Sequence, residues 1–322
     1  MCGSRLPMRS DLAGRMQLSC FGGMKTITKR QSQAGLTYFE RVLERRRAAD
    51  PVALAAFERH VHFGVWEDPS HADGSIADFV RAADALTLRI IEAGAVRPGQ
   101  RILDVGCGIG GTLAMLNERF EQVELLGLNI DLSQIEQARH VVCSRPGNIV
   151  DFSVGDALRL PYADESFDTV LAVECSFHFA SREAFLREAH RVLRPGGRLA
   201  LSDFVPTPIM RLALWMLGGT VERIIKPSFG HFDLSYTLHT YRQTALRIGL
   251  RPVVIDDVTR GLLPTFPVWR RFIRYLLPDY YGMAELFTIF GWLHHLRLMR
   301  YMVLAFQKEY SASEATCADA RK

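Results

Sequence analysis

Residues 101–112 read RILDVGCGIGGT. An apolar run through Ile102 and Leu103 leads to an acid at Asp104, then to glycines at 106, 108, 110 and 111, and then to a helical pattern. That order specifies a buried strand, a tight glycine turn and a helix start. Glycine lets the backbone adopt φ > 0 and come close to a ligand. The first turn of a helix favours negative or electron-rich groups. The segment commits this part of the chain to a strand–turn–helix unit whose natural tenant is a nucleotide-like cofactor.

Two cofactors fit such a turn. Gly106, Gly108 and Gly111 satisfy G-x-G-x-x-G, the dinucleotide fingerprint, which alone would suggest an NAD(P)-linked oxidoreductase. Asp104, two residues before Gly106-x-Gly108-x-Gly110, points instead to S-adenosylmethionine (SAM). A carboxylate there can hold the ammonium end of SAM, directly or through water, whereas it would repel a pyrophosphate.

Three later segments bear on the choice by their order. VELLGLNIDLSQIEQAR (123–139) reads as a strand and then a helix. FSVGDALRLPYADESFDTVLAVECSFHF (152–179) places Gly155-Asp156-Ala157 after one strand, with a second strand at 168–174. FLREAHRVLRPGGRLALSDF (185–204) reads as a helix, a Pro-Gly-Gly turn and a strand. With the glycine turn, these segments resemble the class I SAM-dependent methyltransferases. The resemblance implies an α/β fold: a doubly wound, seven-stranded, mostly parallel, Rossmann-like sheet with helical lid insertions. Strands alternating with helical patterns independently require a parallel sheet, with its ligand beyond the carboxyl ends of the strands.

The rest of the chain sorts around that core. Residues 1–35 lack periodicity and a continuous apolar run, so they read as a disordered arm, or as an extension upstream of a start near Met24, rather than a signal peptide. Residues 36–96 form an N-terminal helical lid, and 97–310 the SAM-binding domain. Substrate-lid inserts fall at 205–235 and 259–295, the second between two strands of a closing antiparallel hairpin. Residues 311–322 are small and polar, the pattern of a disordered tail.

Bulk properties narrow the function class. The chain has 322 residues, is 48% hydrophobic and carries a net charge of +4, a globular composition too weakly basic to imply nucleic acid. Cys2, Cys20, Cys107, Cys143, Cys175 and Cys317 form no C-x-x-C pair, so reduced thiols and a cytoplasmic location are expected. No run is long and apolar enough to span a bilayer. Trp269 to Leu277, with Arg270, Arg271 and Arg274, has the make-up of a segment lying on a membrane surface, so peripheral membrane contact stays open. A homodimer also stays open.

The methyltransferase resemblance implies roles for individual residues. Asp104, Gly106, Gly108 and Gly110 would line the methionine and ribose parts of SAM. Most relatives place an acid at the end of the second strand to accept from both ribose hydroxyls, but this chain has Asn129, with Asp131 as the alternative. Ile130 and Gln134 belong to the same cofactor wall. Gly127-Leu128-Asn129 with Gln134-Ile135 and Ala138 resembles the sterol C-methyltransferases. Asp156, with Ala157, would meet the adenine amino group.

At the reacting centre, His178 follows the fourth strand and Asp203 ends the fifth. An imidazole oriented by a carboxylate is a competent base near neutral pH. The pair is similar to that of rebeccamycin-type sugar O-methyltransferases. Glu174-x-x-x-His178 is also similar to sterol and tocopherol C-methyltransferases, where the Glu sits near SAM or a cationic intermediate. His62, Gly64 and Trp66 resemble the His-x-Gly-Tyr-Trp lid of tocopherol and natural-product enzymes, which makes His62 a second candidate base. Tyr38, Trp215, Trp269 and Phe272 complete the expected substrate lid. No spacing suggests a metal site. The expectation is methyl transfer to a small hydrophobic acceptor, an isoprenoid, sterol, quinone or polyketide, at a hydroxyl oxygen with His178 as base. Methylation of an alkene or aromatic carbon is the alternative, and a SAM-fold cyclase a more remote one.

Overall fold

Strands and helices alternate along the chain, which the computed structural model describes for residues 37–310 apart from 218, 221–222, 224–225, 227–229 and 279–280. The strands are β1 (Arg101–Val105), β2 (Glu124–Asn129), β3 (Ile149–Val154), β4 (Phe167–Ala172), β5 (Leu193–Pro206), β6 (Leu250–Asp257) and β7 (Met299–Lys308). They form one sheet in the order β3-β2-β1-β4-β5-β7-β6. The first five are parallel, and β7 runs antiparallel to both β5 and β6. The strand order reverses between β1 and β4, which opens a crevice at their carboxyl ends. β1 and β4 are buried on both faces, which is why their sequences are apolar runs instead of alternating patterns.

The described helices are α1 (Thr37–Arg47), α2 (Pro51–Ala56), α3 (Ile76–Ala93), α4 (Gly111–Arg119), α5 (Leu132–Val141), α6 (Arg182–Val192), α7 (Pro208–Met216), α8 (Leu238–Ile248), α9 (Thr259–Leu262), α10 (Thr265–Leu276) and α11 (Tyr281–His295). Side chains set their starts. Ser75, Asp131, Ser181 and Thr237 each accept from a backbone N–H in the first turn of α3, α5, α6 and α8. The expected arm at 1–35 and tail at 311–322 lie outside the described residues.

Two expectations fail locally. Pro195-Gly196-Gly197 does not separate a helix from a strand. It lies inside β5, where the pairing with β4 jumps from Phe167–Leu193 to Thr169–Arg198 and Gly196 takes φ +78°. The glycines absorb a bulge there. The membrane-surface reading of 269–277 also falls. Phe266, Trp269, Phe272, Ile273 and Leu276 of α10 are buried, with Trp269 and Phe272 against Phe57 and Phe79. The arginines lie opposite, Arg270 and Arg274 pairing with Glu285 of α11. The apolar face the bilayer would need is spent on the core. No described helix is long and apolar enough to cross a membrane.

Helix α7 behaves differently. Ile209, Leu212, Trp215 and Met216 are all exposed, and with the 231–240 segment the helix walls a groove of about 860 Å³.

Candidate active site

The glycine turn carries the geometry its sequence demands. Gly106, Gly108 and Gly110 have φ of +74°, +56° and +86°. Asp104 is 1% exposed, and among the described residues neither carboxylate oxygen has a well-formed hydrogen bond, the Thr112 hydroxyl being only a weak donor to it. Burial raises its pKa to about 8, with Thr112 acting in the opposite direction. A buried, unpaired carboxyl is costly, so this one suits a cation or strong donor arriving from outside the chain.

The amino-terminal segment lies directly on this turn. A Cβ at Gly111 would fall on the Arg59 carbonyl oxygen and 2.6 Å from His60 Nδ1. Phe39 and Leu43 of α1 pack with Ile109 of the turn.

At the end of β2, Asn129 Nδ2 donates to Gln134 Oε1 at 2.7 Å, and Asn129 Oδ1 accepts from the Ile130 N–H at 2.8 Å. This pair borders Gly108, whose Cβ position is 4.0 Å from Gln134 Oε1. Asp131, the alternative ribose ligand, is instead the cap of α5, accepting from Ser133 and Gln134 N–H. Ile130 is half exposed and Ala157 buried. Asp156 is exposed at the end of β3. Its Oδ1 accepts from the Leu158 N–H, which leaves Oδ2 uncommitted among the described residues.

The chain leaves β4 through Glu174, whose φ of +49° is left-handed. A residue with a Cβ pays about 1–2 kcal/mol for that conformation, and such outliers gather at functional sites. Glu174 Oε2 accepts from the Phe63 N–H at 2.8 Å, and Oε1 accepts from the Tyr301 hydroxyl. Tyr301 Oη lies 3.0 Å from Ser202 Oγ, which accepts from the Glu174 N–H at 3.0 Å. Burial raises the Glu174 pKa to about 7 against the lowering effect of its hydrogen bonds to Tyr301 and Phe63. Nothing in the sequence marks Tyr301 or Ser202, because β5 and β7 bring them to Glu174 from distant positions.

His178 ends the single turn Ser176–His178. Its Nδ1 is 2.8 Å from the His231 carbonyl oxygen. A carbonyl can only accept, so Nδ1 carries the proton and Nε2 keeps its lone pair. Burial lowers the pKa to about 4, so the ring is neutral at physiological pH.

The expected His178–Asp203 pair is not formed. Asp203, fully buried, is held by Arg182: Nε reaches Oδ2 at 2.6 Å and Nη2 reaches Oδ1 at 3.2 Å. The Tyr241 hydroxyl and the Phe204 N–H occupy its remaining acceptor positions. Its lone pairs are committed, and a backbone carbonyl orients His178 instead. His62 is also not a free base. Its Nδ1 bonds the Phe63 carbonyl at 2.8 Å and its Nε2 lies 3.1 Å from Thr87 Oγ1. Burial lowers its pKa to about 3.

Glu174, His62 and His178 meet at one cavity walled by Phe63, Phe177, Phe204, Phe232, Trp269 and Phe287. Its water-accessible space is about 30 Å³, enough for a few waters at roughly 10–15 Å³ each. Of the expected lid residues whose side chains are described, His62 and Trp269 reach it. The Trp66 indole donates to Asp78 at 2.8 Å, which fastens its segment to α3. Phe272 packs in the core and Trp215 lies on exposed α7. The Tyr38 side chain lies outside the described residues. Among the described residues, no group of His, Cys, Asp and Glu could hold a metal ion.

A family model described as a methyltransferase domain matches residues 103–201. Over 264 residues the chain is 33% identical to methyltransferase GfsG of Streptomyces halstedii, covering 81% of this chain and 91% of that protein. Over 210 residues it is 34% identical to the 27-O-demethylrifamycin SV methyltransferase of Amycolatopsis mediterranei (strain S699), covering 64% and 72%. Among solved structures, a geranyl diphosphate methyltransferase superposes with a TM-score of 0.67 at 20% identity, over 88% of this chain and 99% of that one. At that identity the likeness concerns the fold.

Proposed function

This chain belongs to the class I SAM-dependent methyltransferases, and we propose that it methylates a hydroxyl oxygen of a small hydrophobic acceptor, with His178 as general base. Membership of that family sets the NAD(P)-linked reading aside. The observation that carries the proposal is the state of His178: neutral, with a free Nε2, at an aromatic-walled cavity.

The cofactor site fits SAM by its own chemistry. The Asp104 carboxylate would hold the ammonium group, and Gly106, Gly108 and Gly110 let the backbone approach. Asn129, braced by Gln134, would bind the ribose hydroxyls, and the uncommitted oxygen of Asp156, with Ile130 and Ala157, would bind the adenine. Bound SAM supplies a methyl group on a sulfonium. As the acceptor oxygen gains that methyl group, His178 Nε2 takes the hydroxyl proton, and the His231 carbonyl stabilises the imidazolium through Nδ1–H.

The walls support an acceptor class. Seven aromatic side chains, Phe290 among them, around Glu174, His62 and His178 suit an apolar body presenting one hydroxyl. One relative fits that class by its name, the 27-O-demethylrifamycin SV methyltransferase. With about 30 Å³ of water-accessible space, the cavity would have to open for an acceptor, and the stretch that lines it through Val61, His62 and Phe63 is the part proposed to lift. The hydrogen bond from Phe63 N–H to Glu174 then acts as the clasp of that lid.

Glu174 favours a second reading, methylation at carbon. A half-buried carboxylate on a strained turn, facing several aromatic rings, suits a cationic intermediate. Incubation with methyl-labelled SAM and a panel of hydroxylated polyketides, quinols, sterols and prenyl diphosphates separates the two, since NMR of the product distinguishes an O-methyl from a C-methyl group. On an O-methylated acceptor, His178→Ala should lose about 10²–10⁴-fold in rate with S-adenosylhomocysteine affinity unchanged. A wild-type rate in that variant would remove His178 as the base.

A further inference from the structure

We propose that Arg182 is a positioning residue that fixes the tautomer of His178 by holding the 231–236 segment in place. The inference rests on the reading of His178 as general base.

Arg182 opens α6 and is 1% exposed. Its guanidinium grips the carboxyl end of β5 through Asp203 on one side. On the other, Nη1 meets Asp233 Oδ2 at 2.5 Å and Nη2 meets the Asp233 carbonyl at 2.7 Å. The Tyr236 ring lies 5.4 Å from the guanidinium carbon. The Asp233 N–H in turn donates to the Phe177 carbonyl at 2.9 Å, in the turn that carries His178. Two residues before Asp233, the His231 carbonyl accepts from His178 Nδ1.

The chain of contacts therefore runs from β5 through Arg182 to the segment whose carbonyl sets the imidazole. Asp203 is a firm anchor because Tyr241 and the Phe204 N–H hold it as well. A planar fork with five donors can serve both carboxylates and a carbonyl at once, which an ammonium on a single stem cannot do. If the segment drifts, the ring is free to move its proton to Nε2, and Nε2 can then no longer take one from the substrate hydroxyl. Asp203, expected to touch His178 directly, acts on it through Arg182.

The test is ¹⁵N NMR of the His178 imidazole at neutral pH in the full chain with S-adenosylhomocysteine, for wild type, Arg182→Lys and Asp233→Asn. The wild type should show a protonated Nδ1 and an unprotonated Nε2. Both variants should shift the two resonances toward each other as the second tautomer becomes populated. On the acceptor identified by the panel, kcat should fall on the order of tenfold while KM and S-adenosylhomocysteine affinity hold. Unchanged ¹⁵N shifts in a folded variant would overturn the proposal, even if the rate fell. Shifted resonances with an unchanged rate would sustain the positioning role and remove His178 as the base. Asp233→Asn leaves the Arg182–Asp203 pair intact, so it covers a failure of Arg182→Lys to fold.

Discussion

The Tyr301 hydroxyl on β7 donates to the Glu174 carboxylate on the left-handed turn after β4, joining the last strand of the chain to the rim of the reaction cavity. That donor is one of two that restrain the Glu174 pKa against burial. Removing it with Tyr301→Phe should push the Glu174 pKa above its present value of about 7. Titration of the Glu174 side-chain carboxyl by ¹³C NMR reads this directly. Loss of a donor to a buried acceptor should also cost about 1–3 kcal/mol of stability, measured by urea unfolding. A pKa that stays put or falls would mean that the phenol does not set this carboxyl.

Asp104 predicts a proton linked to cofactor binding. Its pKa is raised to about 8 by burial, so the carboxyl is largely protonated in the free protein at neutral pH. Pairing with an ammonium group requires the ionised form, and binding must expel the proton. S-adenosylhomocysteine affinity should therefore rise with pH between 6 and 8, by roughly tenfold per unit well below the pKa. The sign for stability follows from the same shift. A raised carboxyl pKa stabilises the free protein at low pH, and that contribution is lost as pH rises toward 8, so the ligand-induced gain in Tm should widen over this window. Calorimetry in buffers of different ionisation enthalpy should count close to one proton released at pH 7, and Asp104→Asn should abolish the release.

The parts of this molecule legible in its sequence are those whose physics is local. Left-handed backbone at 106, 108 and 110 requires glycine, so the turn after β1 can be read from its residues. The apolar runs of β1 and β4 announce strands covered on both faces. Local pattern misplaced Pro195-Gly196-Gly197, because a bulge and a turn ask for the same residues. It left α10 open between a packed lid and a membrane surface, because an amphipathic helix looks the same whether its apolar face meets a core or a bilayer. The pairing of Asp203 with Arg182 and of Glu174 with Tyr301 was out of reach. Both depend on which side chains a long-range sheet brings together, and a lone arginine after a helix cap looks like a solvated one.

Gly111 predicts a steric coupling between lid and turn. A Cβ there would overlap the Arg59 carbonyl and crowd His60 Nδ1, neither of which is the tip of a flexible side chain. Gly111→Ala should therefore displace the 57–63 segment at a cost of about 1–3 kcal/mol. Faster amide exchange confined to residues 57–64 would report the displacement. Gly147→Ala is the control: it has φ of +86° but open space around it, so it should cost about 1 kcal/mol without loosening that segment.

The buried cluster of Asp203, Arg182 and Asp233 makes a prediction opposite in character to that of a catalytic dyad. If Asp203 only oriented a base, Asp203→Ala would fold normally and lose rate alone. Here Asp203 is fully buried and bonded through both oxygens to Arg182, so truncation leaves the guanidinium short of one of its two anions inside the protein. Breaking one partner of such a pair costs about 3–5 kcal/mol, whereas replacing both partners with apolar groups of similar volume is often neutral or better. Asp203→Ala should therefore be strongly destabilised in urea unfolding, and the double variant Asp203→Leu/Arg182→Met should recover much of that loss. The recovered protein should still bind S-adenosylhomocysteine, because neither residue touches the glycine turn. Its activity should stay low, because the His231 carbonyl has lost its support. A stable Asp203→Ala, or a double variant no better than the single one, would show that this cluster does not hold the site together.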